Sequence, residues 1–224
     1  MSHISNPIQQ TLNRPLAGTI HDDKVNVTRI LLTGGPCAGK TTALAAISQD
    51  LTQLGYKVLV VPEAATLIMK GGAMIVSSDF TAQQGLTFQK GLMRLQIALE
   101  ESFLEIGQMV TDQHVVILID RGLLDGSAYV SRSEWQALMD DLNMNVVSMR
   151  DNRYDAVLHM VTAADGASKF YAALTNEARY ESVSEAINKD KKLREAYMGH
   201  KNWVMIDNTA KDFLAKINAA KQQV

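Results

Sequence analysis

The stretch Gly34-Gly35-Pro36-Cys37-Ala38-Gly39-Lys40-Thr41 decides the fold of this chain, because it follows the pattern G-x-x-x-x-G-K-T. In that pattern a glycine-rich loop between a strand and a helix aims backbone N–H groups at a bound phosphate. The aliphatic run 29–33 predicts the strand, and apolar residues at helical spacing over 42–54, followed by Gly55, predict the helix. The sequence therefore predicts a polyphosphate-binding loop (a P-loop), to which the helix N-terminus adds about half a positive charge.

The same motif predicts which residues bind the phosphates and the metal ion. The Lys40 ammonium is predicted to reach the β- and γ-phosphates of a nucleoside triphosphate, and the Thr41 hydroxyl is predicted to bind Mg²⁺. The pattern is compatible with ATP and with GTP. The predicted nucleotide-binding residues of this region are Gly34, Gly35, Pro36, Cys37, Ala38, Gly39, Lys40, Thr41 and Thr42.

Composition narrows the class of protein. The 224 residues suffice for one α/β domain, and 22 Lys and Arg against 24 Asp and Glu give no basic excess for binding nucleic acid. Cys37 is the single cysteine, which excludes an internal disulfide and favours a cytoplasmic location. No apolar run is long enough to span a bilayer. We predict a flexible polar arm over residues 1–27 and a single P-loop domain over 28–224.

Predicted strands and helices alternate along the chain. This order is typical of a parallel sheet with helices on both faces, here with five strands. A capping box of Ser133 with Gln136 is predicted to open the fourth of six helices. The predicted strands are 29–33, 56–61, 115–120, 156–161 and 203–206, and the predicted helices are 42–54, 64–78 with a break at Gly71-Gly72, 81–109, 133–142, 181–197 and 211–221.

Charged residues follow two of the predicted strands, at the sheet edge where ligands of parallel α/β sheets collect. Asp120 ends the third strand and is predicted to hold Mg²⁺, directly or through water. Arg121 follows it and is predicted to contact a substrate or a phosphate, with a surface ion pair as the alternative. Glu63 follows the second strand as a candidate general base, or else as a glutamate that complements a helix dipole.

Further candidates lie outside these strand ends. Gln89 has an amide that can bond a planar ring edge, although a solvated helix face explains it as well. Arg179 is a candidate lid residue that stabilises charge on the transferring phosphoryl group. Asp207 and Asn208, after the last strand, are predicted to lie near the nucleobase, and turn chemistry explains them equally well.

Several short motifs together resemble one family, the P-loop ATPase/kinase-like domain shared by NadR-type nicotinamide riboside kinases and the TRPL translocation defect protein. The likeness is closer to the second and runs from about residue 28 to the end of the chain. It implies nucleotide binding on a P-loop kinase fold and, for the TRPL-related proteins, GTP and a phospholipid partner. The motifs are the P-loop itself, Val61-Pro62-Glu63, Ile119-Asp120-Arg121-Gly122, Arg150-Asp151-Asn152-Arg153-Tyr154, His159-Met160-Val161, Phe170-Tyr171, Gly199-His200 and Ile206-Asp207-Asn208.

A weaker resemblance is to deoxynucleoside kinases. It is carried by Glu63, Phe88-Gln89 and Asp120-Arg121, which match that family in order and rough spacing. The resemblance implies that Glu63 is the base, Gln89 reads a nucleobase and Arg121 clamps the substrate. The several closely spaced lid arginines of that family are not evident in this sequence.

Two functions are therefore expected from the sequence. The first is a Mg²⁺-dependent kinase that transfers the γ-phosphoryl group of ATP or GTP to a nucleoside-like hydroxyl. The alternative is a nucleotide-dependent switch with slow hydrolysis and a protein or phospholipid partner. The motifs Asp-x-x-Gly and Asn-Lys-x-Asp of Ras-type GTPases are both absent from the sequence, which disfavours a switch of that type.

Overall fold

A computed structural model describes residues 27–73, 81–167 and 182–224. The predicted arm therefore lies outside the described residues, apart from Val27. The strands are β1 (Val27–Thr33), β2 (Lys57–Val61), β3 (Val115–Asp120), β4 (Ala156–Met160) and β5 (Trp203–Ile206). The α-helices are α1 (Lys40–Gln53), α2 (Ala64–Lys70), α3 (Ala82–Gln108), α4 (Arg132–Asp141), α5 (Val183–Tyr197) and α6 (Phe213–Lys221).

The five strands form one parallel sheet in the order β2-β3-β1-β4-β5, which confirms the predicted fold class. β1 lies in the centre, between β3 and β4. Its residue Leu32 pairs with Asp120 of β3, and Thr33 pairs with His159 of β4. The loop after β1 therefore emerges between the ends of its two neighbours, where the chain order of the strands changes direction.

Alternation along β1 explains why both faces of the sheet are covered. Ile30 and Leu32 pack on one face with α1 and α6, whereas Leu31 packs on the opposite face with α3 and α4. All three side chains are buried. Because successive side chains of a strand point to opposite faces, an unbroken apolar strand must be covered on both.

The predicted capping box of α4 is wrong by two residues. The helix is capped by Ser131, whose hydroxyl accepts a hydrogen bond from the Glu134 N–H at 3.3 Å, while the Glu134 carboxylate accepts one from the Ser131 N–H at 2.7 Å. Ser133 with Gln136 fits the same pattern, but a carboxylate accepts a stronger hydrogen bond than an amide oxygen. The earlier serine therefore begins the helix.

Short helical segments connect the main elements near the sheet edge. A 3₁₀ helix, Leu123–Ala128, follows β3, and a π-helical turn, Val147–Asp151, precedes β4. Helix α2 ends at Lys70, at the break predicted for Gly71-Gly72, and residues 74–80 lie outside the described part of the chain. No helix within the described residues is long and apolar enough to cross a membrane.

Candidate functional site

The P-loop has a backbone that its glycines make possible. Gly34 and Gly39 have φ angles of 134° and 92°, in the region that L side chains rarely adopt. A Cβ atom on Gly34 would lie 2.0 Å from the carbonyl oxygen of Met160 in β4. Gly34 thus allows the loop to pass close to the neighbouring strand, and Gly39 allows the chain to turn into α1.

Lys40 lies inside this loop. Its Nζ donates hydrogen bonds to the carbonyl oxygens of Gly34 and Gly35, both at 2.9 Å, and the side chain is buried. Burial lowers the pKa of Lys40 to about 7, with a further contribution from the positive charge of Arg121. In the absence of a bound anion, the Lys40 ammonium therefore loses its proton more readily than the ammonium of an exposed lysine does.

Asp120 and Thr41 offer oxygen ligands at the mouth of the loop. Burial raises the pKa of the Asp120 carboxyl, with Lys40 opposing and Glu63 adding to the effect. Within the described ranges no group donates a hydrogen bond to this carboxylate, and the Thr41 side chain is exposed. Carboxylate and hydroxyl oxygens suit Mg²⁺, which takes its remaining ligands from water and phosphate. The described residues contain no cluster of three or more His, Cys, Asp or Glu that could hold a metal alone.

Glu63 and Arg121 follow the adjacent strands β2 and β3 and form an ion pair. The Arg121 Nε donates to Glu63 Oε1 at 2.5 Å, and the Arg121 Nη1 donates to Asp125 Oδ2 at 3.2 Å. The Thr66 hydroxyl also donates to Glu63, at 2.7 Å. Burial opposes ionisation of Glu63, but the charge of Arg121 and these hydrogen bonds outweigh it, so the pKa of Glu63 lies below its ordinary value.

The backbone of Arg121 is held in a strained conformation. Its φ angle is 65°, which is unusual for a residue with a side chain. The Arg121 N–H donates to the Leu32 carbonyl at 3.1 Å, and the Gln96 amide donates to the Arg121 carbonyl at 3.0 Å. The surrounding contacts thus compensate the strain and aim the guanidinium at Glu63.

Two buried tyrosines support the 3₁₀ segment that follows. The hydroxyl of Tyr154 accepts the N–H of Leu123, and that of Tyr197 accepts the N–H of Leu124, each at 3.0 Å. Burial raises the pKa of both tyrosines, so both hydroxyls keep their protons. These two hydrogen bonds to backbone N–H groups fix the 3₁₀ segment and therefore also the position of Asp125.

A cavity of about 600 Å³ opens between α2, α3 and the 3₁₀ segment. Glu63, Arg121 and Asp125 lie at one end of it, and these three groups act electrostatically on Lys40. Gln89 lies on its wall, and the ring of Tyr129 stands 5.0 Å from the Lys189 ammonium. Much of the remaining wall is apolar, formed by Leu86, Leu92, Met93, Leu123 and Val130.

A second cavity, of about 310 Å³, lies against Cys37 and Ala38 of the P-loop. Asn208 and Lys216 line it. The Asn208 amide donates to the Thr162 carbonyl at 2.7 Å and to the Asp165 carbonyl at 2.5 Å, and its oxygen accepts from the Lys216 Nζ at 2.7 Å. All polar groups of the Asn208 side chain are therefore engaged within the protein.

The protein also holds the side chains of Asp207, which precedes Asn208, and of Lys216. The carboxylate of Asp207 turns back to accept from the N–H and the hydroxyl of Thr209, at 3.0 and 2.6 Å. Burial lowers the pKa of Lys216 to about 8, and its Nζ also donates to the Val161 carbonyl at 2.6 Å. These bonds fix the wall of the cavity.

The fold brings most of the predicted site residues to one edge of the sheet. Lys40, Glu63, Asp120 and Arg121 form one electrostatic group, and Gln89 lines the cavity beside them. Asp207 and Asn208 lie on the other side of the loop, and Arg179 lies outside the described residues.

Sequence reasoning missed two buried carboxylates, Asp125 beside Arg121 and Asp190 beside the P-loop. Asp125 lies four residues after Arg121 and accepts from the Thr33 hydroxyl at 2.9 Å, in β1 just before the P-loop. An acid four residues after an arginine is a recognisable signal in sequence, but only where the segment between them is helical.

Comparison with known proteins supports the overall fold. The sequence profile of a family described as an AAA domain matches residues 29–212. Among solved structures, the fold is similar to that of thymidylate kinase from Ehrlichia chaffeensis, with a TM-score of 0.53 and 13% sequence identity over 88% of this chain and 95% of that chain. No curated protein matches the sequence. The fold is similar to that of this kinase, and because the profile matches most of its length, the chain belongs to the AAA domain family.

Proposed function

We propose that this protein is a Mg²⁺-dependent kinase that transfers the γ-phosphoryl group of ATP or GTP to a hydroxyl group of an uncharged, nucleoside-like acceptor. One observation carries the proposal: the Glu63 carboxylate lies at the end of a cavity of about 600 Å³, paired with Arg121 and within electrostatic reach of Lys40. A proton acceptor thus lies between a phosphate-binding loop and a space for a second molecule.

The triphosphate is assigned to the P-loop. Its β- and γ-phosphates replace the carbonyl groups of Gly34 and Gly35 as partners of the Lys40 ammonium, and the N-terminus of α1 faces the same charge. Thr41 and Asp120 are the residues that would hold Mg²⁺, which neutralises the phosphate charge when bound.

Glu63 is assigned as the general base that takes the proton from the acceptor hydroxyl. The hydroxyl oxygen forms a bond to the γ-phosphorus, the bond from that phosphorus to the bridging oxygen breaks, and the diphosphate leaves with the electron pair. The hydroxyl proton moves to Glu63. Because the pKa of Glu63 is lowered, the carboxylate is ionised at neutral pH and ready to accept a hydrogen bond from the acceptor.

The charge of the cavity favours an uncharged acceptor. Arg121 lies at the P-loop end, where a phosphate on the acceptor would have to bind, and its guanidinium already contacts Glu63 and Asp125. A phosphorylated acceptor would have to displace one of these carboxylates and then face its charge. The apolar wall and the Gln89 amide instead suit a ring with donor and acceptor groups on its edge.

A thermal-shift panel tests the proposal directly. The protein is heated with Mg²⁺ and ATP, GTP, ADP or GDP, each with and without a mixture of nucleosides that includes nicotinamide riboside. A nucleotide at a hundred times its Kd stabilises the folded state by about 2.7 kcal/mol. We expect a shift from a triphosphate and a further shift from one nucleoside, followed by a phosphorylated product in a coupled assay.

Other outcomes of the panel separate the alternatives. A shift from nucleotide alone, of different size for di- and triphosphate, would favour the regulatory switch, and phospholipid vesicles would then be tested as its partner. The absence of any nucleotide shift would reject the proposal as a whole.

The pKa of Lys40 predicts how nucleotide affinity depends on pH. Phosphate binds the protonated amine, so binding raises a pKa that is about 7 in the empty protein. Affinity for the Mg²⁺-triphosphate is therefore expected to fall by up to about tenfold per pH unit between pH 7 and 9, with uptake of a proton. Calorimetry in two buffers of different ionisation enthalpy measures that uptake.

Lys40→Arg is the control, because a guanidinium stays protonated over this range. Its affinity is expected to lack the slope, and an equal slope in both proteins would assign the effect to the nucleotide itself. In the empty protein the effect on folding has the opposite sign. The unfolded chain holds the Lys40 proton up to its ordinary pKa of 10.5, so the free energy of unfolding rises from pH 7 towards that value.

A further inference from the structure

Asp190 is a buried carboxylate that contacts the P-loop from helix α5. Its side chain is 1% exposed. One oxygen, Oδ1, accepts the N–H of Gly35 at 2.8 Å and the N–H of Thr162 at 3.1 Å. The other oxygen, Oδ2, lies 3.3 Å from His159 Nε2 and 3.2 Å from an Nη atom of Arg194. Both oxygens of the carboxylate are thus engaged, one by two backbone N–H groups and the other by two basic side chains.

Gly35 is held from both sides as a result. Asp190 binds its N–H, and Lys40 binds its carbonyl oxygen at 2.9 Å. A Cβ atom on Gly35 would lie 2.8 Å from Asp190 Oδ1, so the glycine lets the carboxylate approach. The next residue is fixed as well, because the Thr162 hydroxyl donates to the Pro36 carbonyl at 2.5 Å. Asp190 therefore orients the peptide groups that decide where the Lys40 ammonium rests.

A carboxylate at this place needs a counter-charge. A bare negative charge beneath a phosphate-binding loop would repel the polyphosphate, and burial would strengthen the repulsion. Arg194 supplies a positive charge to the same oxygen that His159 contacts, one helical turn after Asp190. Burial opposes ionisation of Asp190, but the contacts with His159, Gly35 and Thr162 outweigh it, so its pKa lies below the ordinary value.

We propose that Asp190 is a positioning residue that holds the P-loop in its phosphate-binding conformation, and that Arg194 neutralises it so that it does not repel the nucleotide. The inference deepens the proposed function and rests on the nucleotide binding contained in it. It assigns to α5 a part in the nucleotide site, although neither residue lines the first or second cavity.

A set of four variants tests the two parts of the proposal. Asp190→Ala removes the contacts to the loop, Asp190→Asn keeps an oxygen for the two N–H groups, and Arg194→Met removes the counter-charge. The double variant Asp190→Asn with Arg194→Met removes both charges together. Asp155→Asn is the matched control, because Asp155 also accepts a backbone N–H, that of Arg29, and also pairs with an arginine, but at the opposite end of β1.

The Kd for the Mg²⁺-triphosphate gives the first readout. Asp190→Ala and Arg194→Met are expected to raise it by about tenfold or more, which corresponds to a lost charged hydrogen bond or to an uncompensated charge. The double variant is expected to bind more tightly than Arg194→Met, and the control like the wild type. If the double variant binds no better than Arg194→Met, Arg194 does not act by neutralising Asp190, and that part of the proposal is rejected. If affinity only follows the unfolding temperature in every variant, Asp190 is merely structural.

Hydrogen exchange of the empty protein gives a readout that needs no nucleotide. The Gly35 amide is expected to exchange at least about tenfold faster in Asp190→Ala than in the wild type, because its acceptor is gone. Unchanged exchange would overturn the proposal even if nucleotides bind. Faster exchange in a protein that binds no nucleotide would instead support the role of Asp190 and reject the proposed function.

Discussion

Lys40→Ala is expected to abolish the stabilisation of the protein by Mg²⁺-triphosphate. The change removes the ammonium that the phosphates need, so the gain of about 2.7 kcal/mol expected at a hundred times the Kd should disappear. The empty protein should lose at most about 1 kcal/mol, since the hydrogen bonds to two carbonyl groups are lost but the cost of burying the amine is removed with them. Thermal or chemical unfolding with and without nucleotide measures both effects.

Lys221→Ala is a suitable control for that experiment. Lys221 forms a surface ion pair with Asp50 at 2.7 Å and lines neither cavity. Its nucleotide-dependent stabilisation should equal that of the wild type. Retention of the full stabilisation in Lys40→Ala would show that the nucleotide binds elsewhere and would reject the assignment of the P-loop.

Glu63→Gln is expected to keep nucleotide affinity and to lose phosphoryl transfer by about 10²–10⁴-fold, the range for removal of a general base. The amide oxygen still accepts from Thr66 or Arg121, and Arg121 keeps its contact with Asp125, so the cavity should hold its shape. The measurements are the Kd of the triphosphate and the rate of transfer to the acceptor that the thermal-shift panel identifies.

Glu101→Gln is the control for loss of a negative charge outside the site. The Glu101 side chain is 59% exposed on α3 and pairs only loosely with Arg153, at 3.9 Å. The Glu101→Gln variant should transfer the phosphoryl group at the wild-type rate. If Glu63→Gln also transfers within a few-fold of the wild type, Glu63 acts only as the partner of Arg121 and another group takes the proton.

The sequence was sufficient for the fold because its signals are local. The G-x-x-x-x-G-K-T pattern lies between a strand and a helix, and the buried run Val115–Asp120 has no polar residue before its final acid. Each of these needs only neighbours along the chain. The predicted sheet class follows from alternation of strands and helices, which is also a property of chain order.

Contacts at the site were harder to predict because they depend on strand order. Glu63 and Arg121 are 58 residues apart, and they meet because β2 lies beside β3. Alternation of elements does not determine which strands are adjacent. The sequence therefore placed both residues at the same edge of the sheet but could not show that they form an ion pair.

Asp190 was missed for a different reason. It lies in a run of charged residues that predicts a solvated helix, and Lys191, Lys192 and Glu195 of that run are exposed. The buried positions of α5 are Ala186, Asp190, Leu193 and Tyr197, which recur at helical spacing. An acid on the apolar stripe of a helix is a sign of a buried partner, and the surrounding lysines concealed it.

The buried position of Lys40 has a chemical consequence beyond its attraction for phosphate. An amine with a pKa of about 7 is in large part neutral at physiological pH, and a neutral amine is a nucleophile. Exposed lysines remain protonated and react slowly with acylating reagents. A bound phosphate would favour the protonated form of Lys40, which is not nucleophilic. Under the proposed function, the reactivity of this amine would therefore report whether a nucleotide occupies the loop.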